Sequence, residues 1–187
     1  QNVAAGEMSA TSTDAVNGSQ LYSTAKTLLD RMTNYVHVND GTTTQKAGTA
    51  SSNKGILDTA GGATGKKSVA IGIDTQAAGE NGVAVGNTAK ATGKNSVAHG
   101  TDAEATEEDA IAIGNGAKAQ GEKSISIGTG NIVKAAKSSA IGDPSHLDAS
   151  ATGTHVQGND NGTAAAPIMA KDSTFMGNNN LAGTAGT

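Results

Sequence analysis

The 187 residues carry 13 basic and 17 acidic side chains, a net charge of −4 with the signs interspersed, which leaves no electrostatic footprint for nucleic acid or an anionic membrane. Only Tyr22, Tyr35 and Phe175 are aromatic, 26 residues are glycine, and alanine supplies most of the 35% hydrophobic fraction, so a single large core is excluded. Cysteine is absent, which removes disulfides and thiolate metal sites, and no apolar run nears the roughly 18 residues of a membrane span.

Residues 12–35, STDAVNGSQLYSTAKTLLDRMTNY, place Leu21, Ala25, Leu28, Met32 and Tyr35 at alternating spacings of four and three. That is a two-heptad a/d seam, and Ser12 or Thr13 with Asp14 predicts the helix start. The chain offers this helix no bulky core to pack on, so the seam predicts self-association. Residues 36–67 are rich in Gly, Thr, Ser and Asn and read as a connector, with Val36/Val38 and Ile56/Leu57 as tethering points.

From residue 68 the sequence becomes periodic. The words SVAIG, GVAVG, SVAHG, AIAIG, SISIG and SSAIG close on Gly72, Gly86, Gly100, Gly114, Gly128 and Gly142, each spaced by fourteen. A fixed short period means a repeat architecture, and fourteen is too short for helical solenoids or leucine-rich repeats. Aliphatics two apart (Val69 and Ile71, Val83 and Val85, Ile111 and Ile113) predict a short strand whose β-branched side chains are buried in the coil. A small or apolar residue five positions after each glycine (Ala77, Ala91, Ala105, Ala119) predicts a second short strand. Two aliphatics per coil fall well short of the entropy of ordering fourteen residues, and the alanine faces still need cover. The coil therefore predicts association through one of its faces rather than a monomeric solenoid with capped ends. After Gly142 the register loosens. Gly158 follows by sixteen residues and Gly177 by nineteen, with an insertion containing Pro167 predicted to protrude as a loop.

These residues resemble a known family. Val3-Ala4-Ala5-Gly6, Thr13-Asp14-Ala15-Val16-Asn17 and Gln20-Leu21 are similar to the neck of trimeric autotransporter adhesins, and the SVAIG words are similar to the YadA-like head repeats of the same family. The resemblance implies a mainly β fold, a left-handed parallel β-roll of 14-residue coils forming a homotrimer, preceded by a neck and short trimeric coiled coil. It divides the chain into a neck and coiled-coil segment (1–35), a connector (36–67) and a β-roll head (68–187) whose repeats are degenerate after about 143. The neck precedes the head here, so it should finish a preceding domain, and the sequence reads as a segment of a longer chain. The resemblance further implies a cell-surface fibre of a Gram-negative outer membrane, its membrane anchor outside this segment. Its partners would be host extracellular matrix proteins, cell-surface receptors, or like fibres on other bacteria.

No catalytic constellation emerges, so the chain reads as a non-enzyme without cofactors. Glu107, Glu108 and Asp109 form an acidic run best read as a solvated turn, and Asp143-Pro144 and Asn159 to Gly162 are turn chemistry. His99 is the distinctive single residue. It occupies the column of Ile71, Val85, Ile113, Ile127 and Ile141, and in a trimer three copies could converge to hold a metal or an anion. The plainer reading is one polar substitution at a partly wet position. His37, His146 and His155 read as loop or connector residues. Candidate adhesive positions are the outward columns Gln76/Lys90/Glu104/Lys118 and Glu80/Lys94/Glu108/Glu122, and the insertion at 159–173. The alternatives are a non-adhesive spacer of the fibre and an ice- or crystal-binding β-solenoid. The latter wants a uniform threonine column, which mixed charge opposes.

Overall fold

The structure, a computed structural model, describes residues 3–31, 34–41, 53–55 and 61–180. Near the N-terminus an extended segment leads into α1 (Gly18–Arg31). The helix begins later than the Ser12–Asp14 start predicts, because its cap is Asn17. Asn17 Oδ1 accepts the Gln20 amide at 3.0 Å while Gln20 Oε1 accepts the Asn17 amide at 3.2 Å, a reciprocal capping box. Asp14 is engaged elsewhere, its carboxylate accepting the Glu7 amide at 2.9 Å. Gln20 also grips Gly6 from both sides, accepting its N–H at 3.0 Å and donating to its carbonyl at 2.5 Å. One side chain thus ties the extended segment to the first helical turn. Leu21, Ala25 and Leu28 of the predicted seam are exposed on α1, and Met32 lies outside the described residues.

From residue 61 onward the chain winds into a parallel β-solenoid. One strand of each coil is three residues long: β2 (Val69–Ile71), β4 (Val83–Val85), β6 (Val97–His99), β8 (Ile111–Ile113), β10 (Ile125–Ile127), β12 (Ser139–Ile141), β14 (His155–Gln157) and β15 (Thr174–Met176). These stack in parallel register, and β1 (Val36–Val38) adds an antiparallel edge against β2, making nine strands among the described residues. The second strand of each coil is two residues long: β3 (Gln76–Ala77), β5 (Lys90–Ala91), β7 (Glu104–Ala105), β9 (Lys118–Ala119), β11 (Ile132–Val133) and β13 (His146–Leu147), forming a parallel six-stranded sheet. Ile56 and Leu57 of the connector lie outside the described residues.

Register follows the sequence period, with Val69 opposite Val83, Val83 opposite Val97 and Val97 opposite Ile111. The facing is the reverse of the predicted one. The middle residue of each three-residue word points inward: Ala70, Ala84, Ala98, Ala112 and Ala140 have no exposed surface. Across the interior stand Ala77, Ala91, Ala105 and Ala119, equally enclosed. The β-branched residues on either side point outward. A fourteen-residue coil closes two short strands against each other across a space that only small side chains fill, so alanine is the core residue here and the aliphatics form the outer skin.

Polar groups inside the coil are paired locally. Ser68 and Ser96 donate from Oγ to the Gly65 and Gly93 carbonyls at 2.7 and 2.6 Å, inside corners that are fully buried. At the N-terminal end Asn53, also fully buried, donates to the carbonyls of Tyr35 and Gly72 at 2.9 and 2.8 Å and accepts the Gly62 amide at 2.6 Å. With β1 it closes the first coil.

Toward the C-terminus the interior widens. Val133, Leu147 and Ile168 succeed the alanines of the shorter sheet, and Val156 succeeds Ala140 in the longer one. The coil lengths of sixteen and nineteen arise at the corners. Six positions separate Ala77 from Val83, but eight separate Leu147 from His155; five separate Gly72 from Ala77, but ten separate Gly158 from Ile168. Extra residues in corners leave the rungs in register, as the pairing of β14 with β12 and β15 shows.

Candidate functional surfaces

Three surfaces stand out. The first is the outer face of the longer sheet. Its two columns read Val38, Val69, Val83, Val97, Ile111, Ile125 and Val36, Ile71, Val85, His99, Ile113, Ile127, Ile141. Ile71, Ile113 and Ile141 remain 36%, 37% and 42% exposed, so the columns form a continuous apolar stripe facing solvent. Contiguous exposed apolar surface of this kind marks an interaction site. His99 lies within it, exposed on β6 between Val85 and Ile113. The first column turns polar at β12 itself, through Ser139, His155 and Thr174, and Ser139 Oγ lies 2.9 Å from His155 Nδ1. The second runs from Ile141 through Gln157 to the exposed Met176.

The second surface is the shorter sheet. Gln76, Lys90, Glu104 and Lys118 stack on its outer side as the sequence column lists them. Glu104 bridges two coils, with Lys90 Nζ at 3.4 Å and Lys118 Nζ at 3.0 Å. Partial burial pushes the Glu104 carboxyl up, but the hydrogen bond from Lys118 and the charges of Lys118 and Lys90 outweigh it and hold the group below its ordinary value. A carboxyl held low in the folded state stabilises above its unfolded pKa and loses that contribution as pH falls through the folded one. Glu104→Gln should therefore cost less than about 1 kcal/mol at pH 7, because all three groups are partly exposed. Urea melts of the two proteins should draw together as the pH falls below the ordinary glutamate range and through the lowered folded pKa. The acidic run beside it belongs to similar coil-to-coil pairings: Glu108 faces Lys94 at 3.7 Å, and Asp109 Oδ1 accepts from Asn95 Nδ2 at 2.9 Å.

The third surface lies at the corners of the last coils. The two extra residues between Leu147 and His155 form a bulge held by Asp148, whose Oδ1 accepts the Ser150 amide at 3.0 Å and hydroxyl at 2.9 Å. Those hydrogen bonds, the amide's foremost, keep the Asp148 carboxyl below its ordinary value. The bulge overhangs the regular corner of the next coil, tied to it through the Asp172 amide and the Thr152 carbonyl at 3.0 Å. Between them opens a cleft of about 790 Å³ lined by Ala149, Ser150, Thr152, Met169, Ala170, Lys171 and Ser173. The sequence pointed to the insertion at 159–173 but not to the bulge, whose only signal is the two-residue excess before His155.

The remaining histidines lie on strands rather than in loops. His37 is buried on β1, His146 is half-buried on β13, and His155 is exposed on β14. Burial, with a smaller effect of the Lys134 charge, pushes the His146 imidazole below its ordinary value. The Asn159–Gly162 turn is stitched to its neighbours: Asn159 Oδ1 accepts the Asp143 amide at 2.9 Å, and Asn161 Oδ1 accepts the Asn180 amide at 3.0 Å. Among the described residues no three His, Cys, Asp or Glu side chains gather as a metal site, and no helix is long and apolar enough to cross a membrane.

Comparison with known proteins adds two matches. The coiled stalk of trimeric autotransporter adhesin matches residues 1–44, and the YadA head domain repeat matches residues 63–89, 91–117 and 119–143. A search among curated proteins finds no match. The head matches fall on the regular coils of the solenoid and the stalk match covers α1 and its cap. With well over half of its length matched by these two components of one architecture, the chain belongs to the trimeric autotransporter adhesins of the YadA type.

Proposed function

We propose that the segment is a stiff trimeric element of a bacterial surface fibre, and that it attaches the cell to host matrix or host cells, or to like fibres. The observation that carries the trimer is the outward aliphatic stripe, which runs along seven consecutive rungs from β1 to β12. The alanine interior buries little area, so covering this stripe with two further copies supplies the apolar burial that the single chain lacks. Members of the family are cell-surface proteins of the outer membrane, and the fibre reading places this segment outside the cell. The charged sheet and the C-terminal corners point away from the stripe's two columns and remain for attachment.

Sedimentation of the 187-residue segment, alone and fused behind a trimeric coiled coil, tests the assembly. A trimer is expected, and a well-folded monomer in both forms overturns the reading. Attachment is tested by binding to collagen, fibronectin, laminin and cultured host cells, together with cell-to-cell clumping; failure of every arm leaves a spacer. In the trimer His99 from each copy stands at one level of the stripe, a position for three imidazoles to share a metal ion. Metal analysis of purified trimer beside His99→Val decides this, since no bound metal and unchanged melting reject it.

A further inference from the structure

The cleft beneath the Asp148–Gly153 bulge offers a specific combination of chemistry. Ser150 Oγ spends its proton on Asp148, and Ser173 Oγ donates to the Lys171 carbonyl at 2.7 Å. Both hydroxyls therefore turn lone pairs, not protons, toward a ligand. Lys171 is exposed and makes no ion pair among the described residues, whereas Lys90, Lys94, Lys118 and Lys123 each meet a carboxylate. Met169, 41% exposed, and Ala149 add an apolar wall. The lining thus presents acceptors, one unneutralised cation and a small apolar face.

A ligand that complements it carries several O–H donors, one carboxylate and a C–H face. We infer that this cleft binds an acidic sugar, a uronic- or sialic-acid unit of a glycan. The carboxylate meets Lys171, the sugar hydroxyls donate to Ser150 and Ser173, and the ring's C–H face lies on Met169. An acidic peptide would also bring a carboxylate and N–H donors, but it lacks the rigid ring that sets several donors and a C–H face at fixed spacing against Met169. The cleft's volume suits a ligand of one to a few rings, within the roughly 300 to 1,000 Å³ usual for small-molecule sites. The bulge gives the cleft its roof, and the regular corners of the earlier coils have none. The inference names a ligand for the attachment reading above and rests on it.

The test is an NMR titration of the 187-residue segment with glucuronic-acid and sialic-acid oligosaccharides, neutral oligosaccharides of equal size, and an acidic peptide. Saturable shifts at Met169–Ser173 are expected for the acidic sugars, with neutral sugars about tenfold weaker or more, as the loss of one charge-assisted contact implies. Lys171→Gln should weaken acidic-sugar binding by a similar factor, and Lys171→Arg should keep most of it. Deleting residues 149–150 restores the six-residue corner and should abolish binding while leaving the shifts of β2 to β10 in place. No saturable binding at millimolar sugar, equal affinity for neutral sugars, an unaffected Lys171→Gln, or preference for the peptide would each overturn the inference. Sedimentation of the same samples separates the two readings: a trimer indifferent to acidic sugars defeats only the cleft, and a monomer that binds them defeats only the fibre.

Discussion

Gly100→Ala should destabilise the coil stack by on the order of 3 to 5 kcal/mol, while Gly116→Asn should change stability by less than about 0.5 kcal/mol. Gly100 has φ of +135°, where L side chains are strained, and a Cβ there would overlap the Gly114 carbonyl of the next coil. Gly114 is itself pinned to the preceding coil, its amide donating to the His99 carbonyl at 2.8 Å, so its carbonyl has little room to retreat. Gly116 has φ of +65° and its nearest obstacle is 4.0 Å away. One and two coils earlier its column holds Asp102 and Thr88 at φ of 56° and 58°, so a side chain is already accommodated there. Thermal melts followed by circular dichroism check the pair. Equal losses at both sites would mean that positive φ alone, rather than close stacking, sets the cost.

Ala112→Leu should be worse than Ile113→Thr, against any expectation that larger apolar residues improve a core. Ala112 has no exposed surface and sits between Ala98 and Ser126 in the inner column. Three added carbons have no free volume there, and overpacking of this kind costs about 3 kcal/mol or more. Ile113 faces outward, 37% exposed, and Thr keeps its β-branched shape. Its loss should leave the single coil intact within about 1 kcal/mol and weaken association of copies instead. Melting at several protein concentrations separates the outcomes: Ala112→Leu lowers the transition at all of them, Ile113→Thr chiefly at the lowest.

The period and its strands were legible because glycine is required once per coil, where one backbone passes close over the next. Facing was not. Alternation by two says that Val69 and Ile71 share a side and Ala70 takes the other, but it does not say which side is in. The usual inference puts the larger residues inside, and it fails because the coil is too narrow to hold them. The helix start was misplaced for a related reason. Ser12, Thr13 and Asp14 all have capping chemistry, yet the clamp of Gln20 on Gly6 joins residues fourteen apart, a contact no local pattern encodes. The position of His99 in its column was legible, since register follows directly from spacing. The cleft was only half legible, because an insertion is visible as a count but its overhang depends on how two successive corners nest.

Stacking in strict register also makes length an adjustable quantity. Each rung bonds only to the rungs one coil before and after it, so removing or duplicating a whole coil within β2 to β10 rejoins like to like without altering any corner. Loss or gain of one fourteen-residue repeat would change the length of the solenoid in steps of about 4.8 Å. The coil closed by β1 and Asn53 and the widened C-terminal coils would be carried along unchanged, so reach can be retuned while the ends keep their chemistry.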